Sequence, residues 1–262
     1  MPQRFIRNEM LLGKNAAERL SQSKVAVFGL GGVGSWCAEA LARAGVGEFT
    51  LIDGALIAES NINRQIIATA STVGRPKPEV MAERLLDINP GVKVRIITSN
   101  YEAARRDMFF DETYDYVADA IDLVSCKVDL TVASLERGIP VISSLGMGNK
   151  LDPSGLRICD ISETNTCPLA RVMRRELRKR GIVRHTVVSG SEHPLRPEPL
   201  EEPPPGRRSV PGAVVWVTAV AGMMIAGHIV TEIIKTDGAE TNKKPAAITL
   251  AGIPAAGSPA PE

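Results

Sequence analysis

The sequence predicts an α/β fold in which a doubly wound, mostly parallel sheet carries helices on both faces. Short apolar runs alternate with helical patterns over residues 24–145, the first apolar run leads into a glycine-rich loop, and glycines stand where several helical patterns end. The predicted strands are Val25–Phe28, Phe49–Ile52, Val92–Ile97, Tyr116–Ala120 and Pro140–Ser144. The predicted helices between them are Ala38–Ala44, Pro78–Asn89, Glu102–Phe109 and Ser125–Arg137.

The loop after the first strand has the glycine spacing of a nucleotide-binding motif. Gly29, Gly31 and Gly34 follow the pattern G-x-G-x-x-G, Gly32 is a further glycine between them, and Asp53 ends the second strand about 20 positions later. Glycine permits the tight turn and lets backbone N–H groups approach a phosphate at the positive end of the next helix. The Asp53 carboxylate can accept hydrogen bonds from ribose hydroxyls. The unit predicts a Rossmann-like nucleotide site without specifying the nucleotide.

Charged and polar residues beyond this unit favour ATP over a nicotinamide cofactor. Asn63, Arg64, Gln65 and Lys77 form a polar and cationic continuation of the site. Hydride transfer needs only a neutral cradle for a pyrophosphate, whereas attack on the α-phosphate of ATP needs cations that stabilise the developing charge. The alternatives are that Arg64 and Lys77 are ordinary surface cations, and that the chain is a nicotinamide-binding dehydrogenase or a non-catalytic nucleotide sensor.

Six short segments carry a resemblance to a known superfamily. They are RFIRNEMLLG at residues 4–13, GLGGVGS at residues 29–35, Asp53, NINRQ at residues 61–65, Lys77 and DAID at residues 119–122. With these pieces in this order, the chain resembles the ubiquitin-activating-enzyme-like adenylyltransferases, which include bacterial activators of sulfur-carrier proteins. Residues 162–182 and 210–230 are most similar to the tRNA threonylcarbamoyladenosine dehydratase branch of that superfamily.

The resemblance implies an activity and assigns roles to residues of the site. The implied activity is ATP-dependent adenylation of the threonylcarbamoyl carboxylate of a modified adenosine in tRNA, followed by cyclisation. The alternative is activation of the C-terminus of a ubiquitin-like sulfur carrier. By resemblance, the glycine loop and Arg64 hold ATP, Asp53 binds the ribose, Lys77 neutralises phosphate charge and Asp122 holds Mg²⁺. Asp119, on the same strand end, is expected to pair with a cation or to bind solvent.

The resemblance also implies a homodimer whose active sites are completed across the interface. In similar enzymes the residue that matches Arg7 reaches the triphosphate of the other subunit. A nearly continuous apolar segment at residues 210–230 is about as long as a membrane span. Its small residues, together with Thr218 and His228, favour a buried helix near a dimer surface instead. We therefore expect no membrane association, and we expect His228 to be a hydrogen-bonded helix residue.

Residues 168–181 predict an amphipathic helix with one basic face. Its four arginines recur at the spacing i, i+3, i+4 and i+7. They are Arg171, Arg174, Arg175 and Arg178. Because only Glu176 interrupts the cations, we expect little i,i+4 ion pairing, and we interpret the face as a contact surface for tRNA phosphates. Arg184 and His185 are expected to extend it, and the alternative is a solvated charged face.

Composition limits the classes of partner and the chemistry of cysteine. The net charge of +1 provides no overall field that would attract nucleic acid, so any basic surface must be local. The four cysteines form no C-x-x-C pair, which does not support a paired zinc site and favours a reducing cytoplasm. The resemblance gives Cys167, just before the basic helix, either a covalent catalytic role or a merely structural one. A sulfur-transfer or ubiquitin-like partner protein is a further alternative.

The predicted domain organisation has three parts. Residues 1–23 are expected to form a helical arm, residues 24–235 an adenylating α/β domain, and residues 236–262 a disordered tail rich in Ala, Gly, Pro and Lys. Within the α/β domain, residues 24–145 are the expected nucleotide-binding part and residues 146–235 a substrate or dimer lobe. A strand is predicted in that lobe at Leu156–Ile161.

Overall fold

A computed structural model describes residues 2–202 and 210–235, which form one seven-stranded sheet with helices on both sides. The strands are β1 (Lys24–Phe28), β2 (Glu48–Ile52), β3 (Lys93–Ile97), β4 (Tyr116–Asp119), β5 (Val141–Ser144), β6 (Leu156–Asp160) and β7 (Thr186–Gly190). Their order across the sheet is β3-β2-β1-β4-β5-β7-β6. All neighbouring strands are parallel except β6, which pairs antiparallel with β7. The predicted fold class is therefore confirmed.

The described helices connect the strands and form the N-terminal arm. They are α1 (Ile6–Leu12), α2 (Lys14–Gln22), α3 (Gly34–Ala44), α4 (Lys77–Ile88), α5 (Arg106–Phe109), α6 (Val124–Glu136), α7 (Pro168–Arg178) and α8 (Val215–Ile234). Helices α3, α4 and α6 follow parallel strands, so each begins at the edge of the sheet where the strands end. The glycine loop and the residues that follow β2 and β4 consequently meet at that edge.

One predicted helix, Glu102–Phe109, is much shorter than expected. The segment contains a 3-10 turn (Ala103–Arg105) followed by the single turn of α5. The aromatic rings of Tyr101 and Phe109 have centroids 5.0 Å apart and both are buried with Phe28. A continuous helix of eight residues would be about 12 Å long and would hold these two rings apart. Aromatic packing therefore overrides the local helical pattern.

The long apolar helix α8 packs against α3 in the core. Gly222 allows the contact, because a Cβ at this position would lie 2.4 Å from the Val33 carbonyl oxygen. By length and composition α8 is the one described helix that could cross a membrane, yet half of its apolar window is buried inside the protein. His228 lies 3.1 Å from the Tyr116 hydroxyl and is thus hydrogen-bonded, as predicted, and its burial lowers its pKa.

The segment after residue 145 continues the same sheet. Strand β7 pairs parallel with β5, and β6 then closes the edge of the sheet. The strand predicted at Leu156–Ile161 is confirmed with one residue fewer. Residues 191–202 have no regular secondary structure. The predicted tail at residues 236–262 lies outside the described residues.

Candidate active site

The glycine loop makes a tight turn between β1 and α3. Gly29 has φ +86°, which favours glycine, and a Cβ on Gly34 would lie only 1.8 Å from the Gly29 carbonyl oxygen. A side chain at either position would therefore open the turn. Gly31 has ample space, since an added Cβ would meet only the Gln65 side-chain nitrogen at 3.9 Å. The loop thus presents partly exposed backbone at the N-terminus of α3, where an anion is favoured.

Asp53 is held directly beside this loop. Its Oδ2 accepts a hydrogen bond of 2.7 Å from the Leu30 backbone N–H, and its Oδ1 accepts one of 2.8 Å from the Ala55 N–H. The two bonds fix the carboxylate between the glycine loop and the end of β2. Each oxygen keeps a lone pair for a further donor, so the group can accept hydrogen bonds from a diol such as ribose.

Arg64 is held by hydrogen bonds to both its side chain and its main chain. Its Nη1 donates to the Ser60 carbonyl oxygen at 2.8 Å and to the Asn63 Oδ1 at 2.7 Å, while Trp36 Nε1 donates to the Arg64 carbonyl oxygen at 3.0 Å. Burial lowers the pKa of Arg64. Asn63 in turn donates to the Ala213 carbonyl oxygen at 2.9 Å, which ties this segment to the entry of α8. The guanidinium is therefore pre-organised rather than a free surface cation.

Lys77 is a buried cation at the first turn of α4. Its side chain is 8% exposed, and desolvation by burial lowers its pKa. The nearby charges of Asp53 and Asp122 raise that pKa, whereas the charge of Arg64 lowers it further. The structure thus brings together the four charged residues that the sequence predicted: Asp53, Arg64, Lys77 and Asp122. Two cations and two carboxylates at the edge of a glycine loop suit a nucleoside triphosphate with its metal ion.

Gln65 and Asp122 are the remaining polar residues of this edge of the sheet. Gln65 is 6% exposed, and its Oε1 accepts no hydrogen bond from the residues that the structure describes. A buried carbonyl oxygen of this kind favours a donor on a bound ligand. Asp122 lies exposed in the turn between β4 and α6. In the described ranges no three His, Cys, Asp or Glu residues cluster as a metal site.

Arg7 does not reach the site of its own chain. It is exposed on α1, and the N-terminal arm contacts the last turns of α3 and α4 through two hydrogen bonds: Asn8 Nδ2 to the Arg43 carbonyl oxygen at 2.6 Å, and Arg4 Nη1, in the turn before α1, to the Ile88 carbonyl oxygen at 3.0 Å. Helix α3 has 11 residues and is thus about 16 Å long. Arg7 therefore lies at the edge of the sheet opposite the glycine loop.

The structure differs from the predicted basic surface in three ways. Arg174 is half-buried and donates to the Thr164 carbonyl oxygen and hydroxyl, so it fastens the turn before α7. Glu176 forms ion pairs with Arg175 at 3.1 Å and with Arg180, four residues on, at 3.5 Å, so the expectation of missing pairs was wrong. His185 is 5% exposed and cannot extend the surface.

Three of the four arginines keep the expected exposure. Helix α7 buries Ala170, Met173 and Leu177. Arg171, Arg175 and Arg178 are exposed on the outer side, and together with Arg174 and Lys179 they line a shallow groove. We call Arg171, Arg175 and Arg178 the exposed arginine face.

Cys167 lies in an apolar cluster at the start of α7. It is 4% exposed and buried with Leu145, Ile161 and Met173. An acyl acceptor must be reached by its substrate, and a thiol buried in this way is out of reach. The structure therefore favours the structural role over the covalent one.

If Cys167 is structural, Cys167→Ser should retain the adenylation and dehydration that the sequence resemblance implies, at near-normal rates. The substitution places a serine hydroxyl in an apolar cluster, so we expect the variant to melt at a lower temperature than the wild type. Measuring kcat at 20 °C separates the two effects. Loss of activity in a fully folded Cys167→Ser protein would restore the covalent role.

The comparisons with known proteins agree with this geometry. The ThiF family model matches residues 5–254. The chain belongs to the ThiF family. The tRNA threonylcarbamoyladenosine dehydratase of Bacillus subtilis is 42% identical over 244 residues, covering 90% of this chain and 96% of the relative. The enzyme of that name from Escherichia coli is 38% identical over 185 residues, covering 70% of this chain and 69% of the relative.

A solved structure of a ThiF-family relative supports the fold and the nucleotide. The Escherichia coli tRNA N6-threonylcarbamoyladenosine dehydratase in complex with ATP matches with a TM-score of 0.81 at 33% identity. The match covers 89% of this chain and 94% of the relative. The resemblance inferred from the sequence is therefore confirmed.

The site of this ThiF-family member also contains buried polar residues that the sequence reading missed. Lys127, Ser143 and His185 lie beneath the Asp122 turn, and Asp119 joins them by pairing with Lys127 at 2.8 Å. The cation expected for Asp119 is thus present. A signal existed in the sequence, because Lys127 shares one face of the predicted helix Ser125–Arg137 with the uncharged residues Leu130, Thr131 and Ser134.

Proposed function

We propose that the chain is an ATP-dependent dehydratase that adenylates the threonylcarbamoyl carboxylate of threonylcarbamoyladenosine in tRNA and then cyclises it. One observation carries this proposal over activation of a sulfur carrier. The dehydratase relative of Bacillus subtilis aligns with 90% of this chain. The sulfur carrier protein ThiS adenylyltransferase of Escherichia coli is 32% identical over 137 residues, only 51% of this chain. The residues beyond the shared nucleotide-binding part therefore follow the dehydratases.

The first step is transfer of an adenylyl group from ATP to the substrate. Backbone N–H groups of the glycine loop cradle the phosphates, and Asp53 accepts hydrogen bonds from the ribose. A carboxylate oxygen of the substrate attacks the α-phosphorus, and the bond to the bridging oxygen of the β-phosphate breaks. Arg64 and Lys77 stabilise the negative charge that moves onto the departing pyrophosphate. Mg²⁺ held by Asp122 would supply further charge neutralisation on the phosphate oxygens.

The second step closes a ring within the modified nucleoside. A nitrogen or oxygen of the same side chain attacks the acyl carbon of the adenylate, and the bond to the phosphate oxygen breaks to release AMP. The proton of the attacking group is lost, so the net change is removal of one water. This intramolecular attack needs no enzyme thiol, which agrees with the buried position of Cys167.

The exposed arginine face is the surface that we propose for tRNA phosphates. Arg171 and Arg178 form no ion pair with any described residue, so their charges are available to a polyanion. Contacts of this kind bind the RNA backbone without reading its sequence. We also propose a cytoplasmic location, since all four cysteines are free thiols. A sulfur-transfer partner stays the secondary proposal.

We further propose a homodimer in which Arg7 acts in the partner's site. Arg7 lies far from the glycine loop of its own chain, and α1 exposes Met10 and Leu11, which are 81% and 85% exposed. Helix α8 exposes Trp216 and Met223 in part. Apolar side chains exposed in this way are typical of a subunit interface.

Mixing two inactive variants tests the shared site. Arg7→Ala and Lys77→Ala are each expected to be inactive. After subunit exchange, random pairing makes half of the dimers mixed, and each mixed dimer has one intact site, so activity should recover to roughly a quarter of normal. The measurement is AMP release before and after mixing. No recovery despite proven exchange would exclude a contribution of Arg7 across the interface.

The proposed reaction is tested directly with modified tRNA. Purified protein, ATP and tRNA that carries threonylcarbamoyladenosine should release one AMP for each nucleoside converted, and nucleoside mass spectrometry should show the loss of one water. The carboxyl-terminal peptide of a sulfur carrier is the matched control substrate. Adenylation of the carrier without conversion of the tRNA would favour the secondary proposal.

A further inference from the structure

A buried polar cluster lies beneath the turn that carries Asp122. It consists of Asp119, Lys127 and Ser143, which have no exposed surface, and His185, which is nearly buried. Asp119 Oδ2 lies 2.8 Å from Lys127 Nζ and accepts a hydrogen bond of 2.6 Å from Ser143 Oγ. Ser143 Oγ lies 2.7 Å from His185 Nε2. We call these four residues the Asp119 cluster.

The direction of each hydrogen bond in the cluster follows from this geometry. Ser143 has one hydroxyl proton, which it donates to Asp119, so its oxygen must accept from His185 Nε2–H. Burial, together with the charge of Lys127, lowers the pKa of His185 to about 3. The ring is therefore neutral at physiological pH and carries its proton on Nε2. The directions of both hydrogen bonds at Ser143 Oγ are thereby fixed.

The second carboxylate oxygen of Asp119, Oδ1, connects the cluster to the Asp122 turn. Asp119 Oδ1 accepts a hydrogen bond of 3.1 Å from the backbone N–H of Ile121, the residue immediately before Asp122. The preceding residue, Ala120, donates its N–H to the Phe28 carbonyl oxygen at 2.8 Å. Its own carbonyl oxygen lies 2.8 Å from where a Cβ on Gly29 would stand. The turn is thus held by the cluster on one side and contacts the glycine loop on the other.

From these contacts we infer that Asp119 is a positioning residue: fixed by Lys127 and Ser143, it sets the backbone of Ile121 so that the Asp122 carboxylate faces the phosphates of ATP. The inference rests on the ATP-binding part of the proposed function. Residues that orient a metal-binding carboxylate typically change metal affinity about 10- to 100-fold. A change of that size in Mg²⁺ affinity is measurable.

A positioning role and a purely structural role of the Asp119 cluster can be separated by the choice of variant. Replacing a buried ion pair with apolar residues of similar volume is often neutral for stability, whereas removing one partner leaves an uncompensated charge and is strongly destabilising. The double variant Asp119→Leu/Lys127→Met therefore keeps the packing while it removes the acceptor for the Ile121 N–H. Lys127→Met alone is expected to unfold at a much lower temperature.

The experiment measures Mg²⁺-dependent ATP binding by calorimetry, with amide hydrogen exchange of residues 120–123 as a readout that needs no metal. In the double variant we expect a melting temperature near that of the wild type, an Mg²⁺ requirement raised about tenfold or more, and faster exchange. The matched control is Arg106→Met/Asp129→Leu, which removes another ion pair contacting α6. It should leave the Mg²⁺ requirement unchanged.

Each outcome separates the inference from the proposed function. A folded double variant with wild-type Mg²⁺ requirement and wild-type exchange would show that the cluster is structural only. If the double variant does not fold, Ser143→Ala carries the same test, with a smaller rise in the Mg²⁺ requirement expected because the Lys127 contact to Asp119 remains. Unchanged exchange in folded Ser143→Ala would also overturn the inference. Absence of Mg²⁺-dependent ATP binding in the wild type would instead contradict the proposed function.

Discussion

Lys77→Ala is expected to slow tRNA-dependent ATP–pyrophosphate exchange by roughly a hundred- to a thousandfold while the fold stays intact. Loss of one charge contact to a transition state commonly costs about 2.7–4 kcal/mol. Lys77 is suited to such a contact, because it is buried beside Asp53 and Asp122 in a site where water screens charge poorly. The fold should persist, since Lys77 forms no ion pair within residues 2–202 and 210–235 and its removal relieves a buried charge.

A surface lysine provides the matched control for this variant. Lys14 pairs only loosely with Glu18, at 3.8 Å, and both side chains are largely exposed. Lys14→Ala should therefore exchange pyrophosphate at the wild-type rate. Far-ultraviolet circular dichroism and the melting temperature establish that both variants are folded. Near-normal exchange in a folded Lys77→Ala protein would remove this lysine from the transition state.

Replacing the exposed arginine face, Arg171→Ala/Arg175→Ala/Arg178→Ala, is expected to weaken tRNA binding and to flatten its dependence on salt. Each lost phosphate contact should reduce the slope of log affinity against log salt by about 0.7–0.9 units. The triple variant should therefore lose about two to three units in total if all three side chains contact phosphates. ATP binding should survive, because none of the three residues lies among Asp53, Arg64, Lys77 and Asp122.

The choice of these three arginines follows from the structure rather than from the helical spacing. Arg174 is left in place because its guanidinium satisfies the backbone before α7, and its loss would report on folding. The control Lys14→Ala/Lys93→Ala/Lys235→Ala removes the same net charge from exposed positions elsewhere. Equal salt slopes for the wild type and the arginine variant across several ionic strengths would show a solvated face that does not bind tRNA.

Short sequence patterns were sufficient to predict much of the fold and the position of the nucleotide site. The alternation of apolar runs with helical patterns located five of the six parallel strands, because strand and helix periodicities are properties of short segments. The glycine loop could also be predicted, because the backbone geometry of a single turn requires Gly29 and Gly34. The ordered motifs of the superfamily grouped Arg64 and Lys77 with Asp53 and Asp122, and in the structure the charges of these residues lie near one another.

The errors concern residues whose surroundings come from distant parts of the chain. His185 was expected on the surface, yet β7 inserts between β5 and β6 and places it against Ser143. Arg174 followed the spacing of an exposed face, but the turn before α7 offers it the Thr164 carbonyl oxygen. The helix predicted at Glu102–Phe109 gave way to aromatic packing. In each case the deciding contact joins segments whose proximity is not encoded in local periodicity.

The sequence by itself determined the α/β class, the glycine loop, the charged residues of the nucleotide site and the family of this protein. These features depend on residue types at short spacing and on ordered motifs. Only the tertiary structure decided that Cys167 is buried, that Arg7 lies at the far edge of the sheet, and that Lys127 neutralises Asp119 beneath the Asp122 turn. Burial and the pairing of charges depend on which surfaces meet when the chain folds, so they become visible only once the sheet order is known.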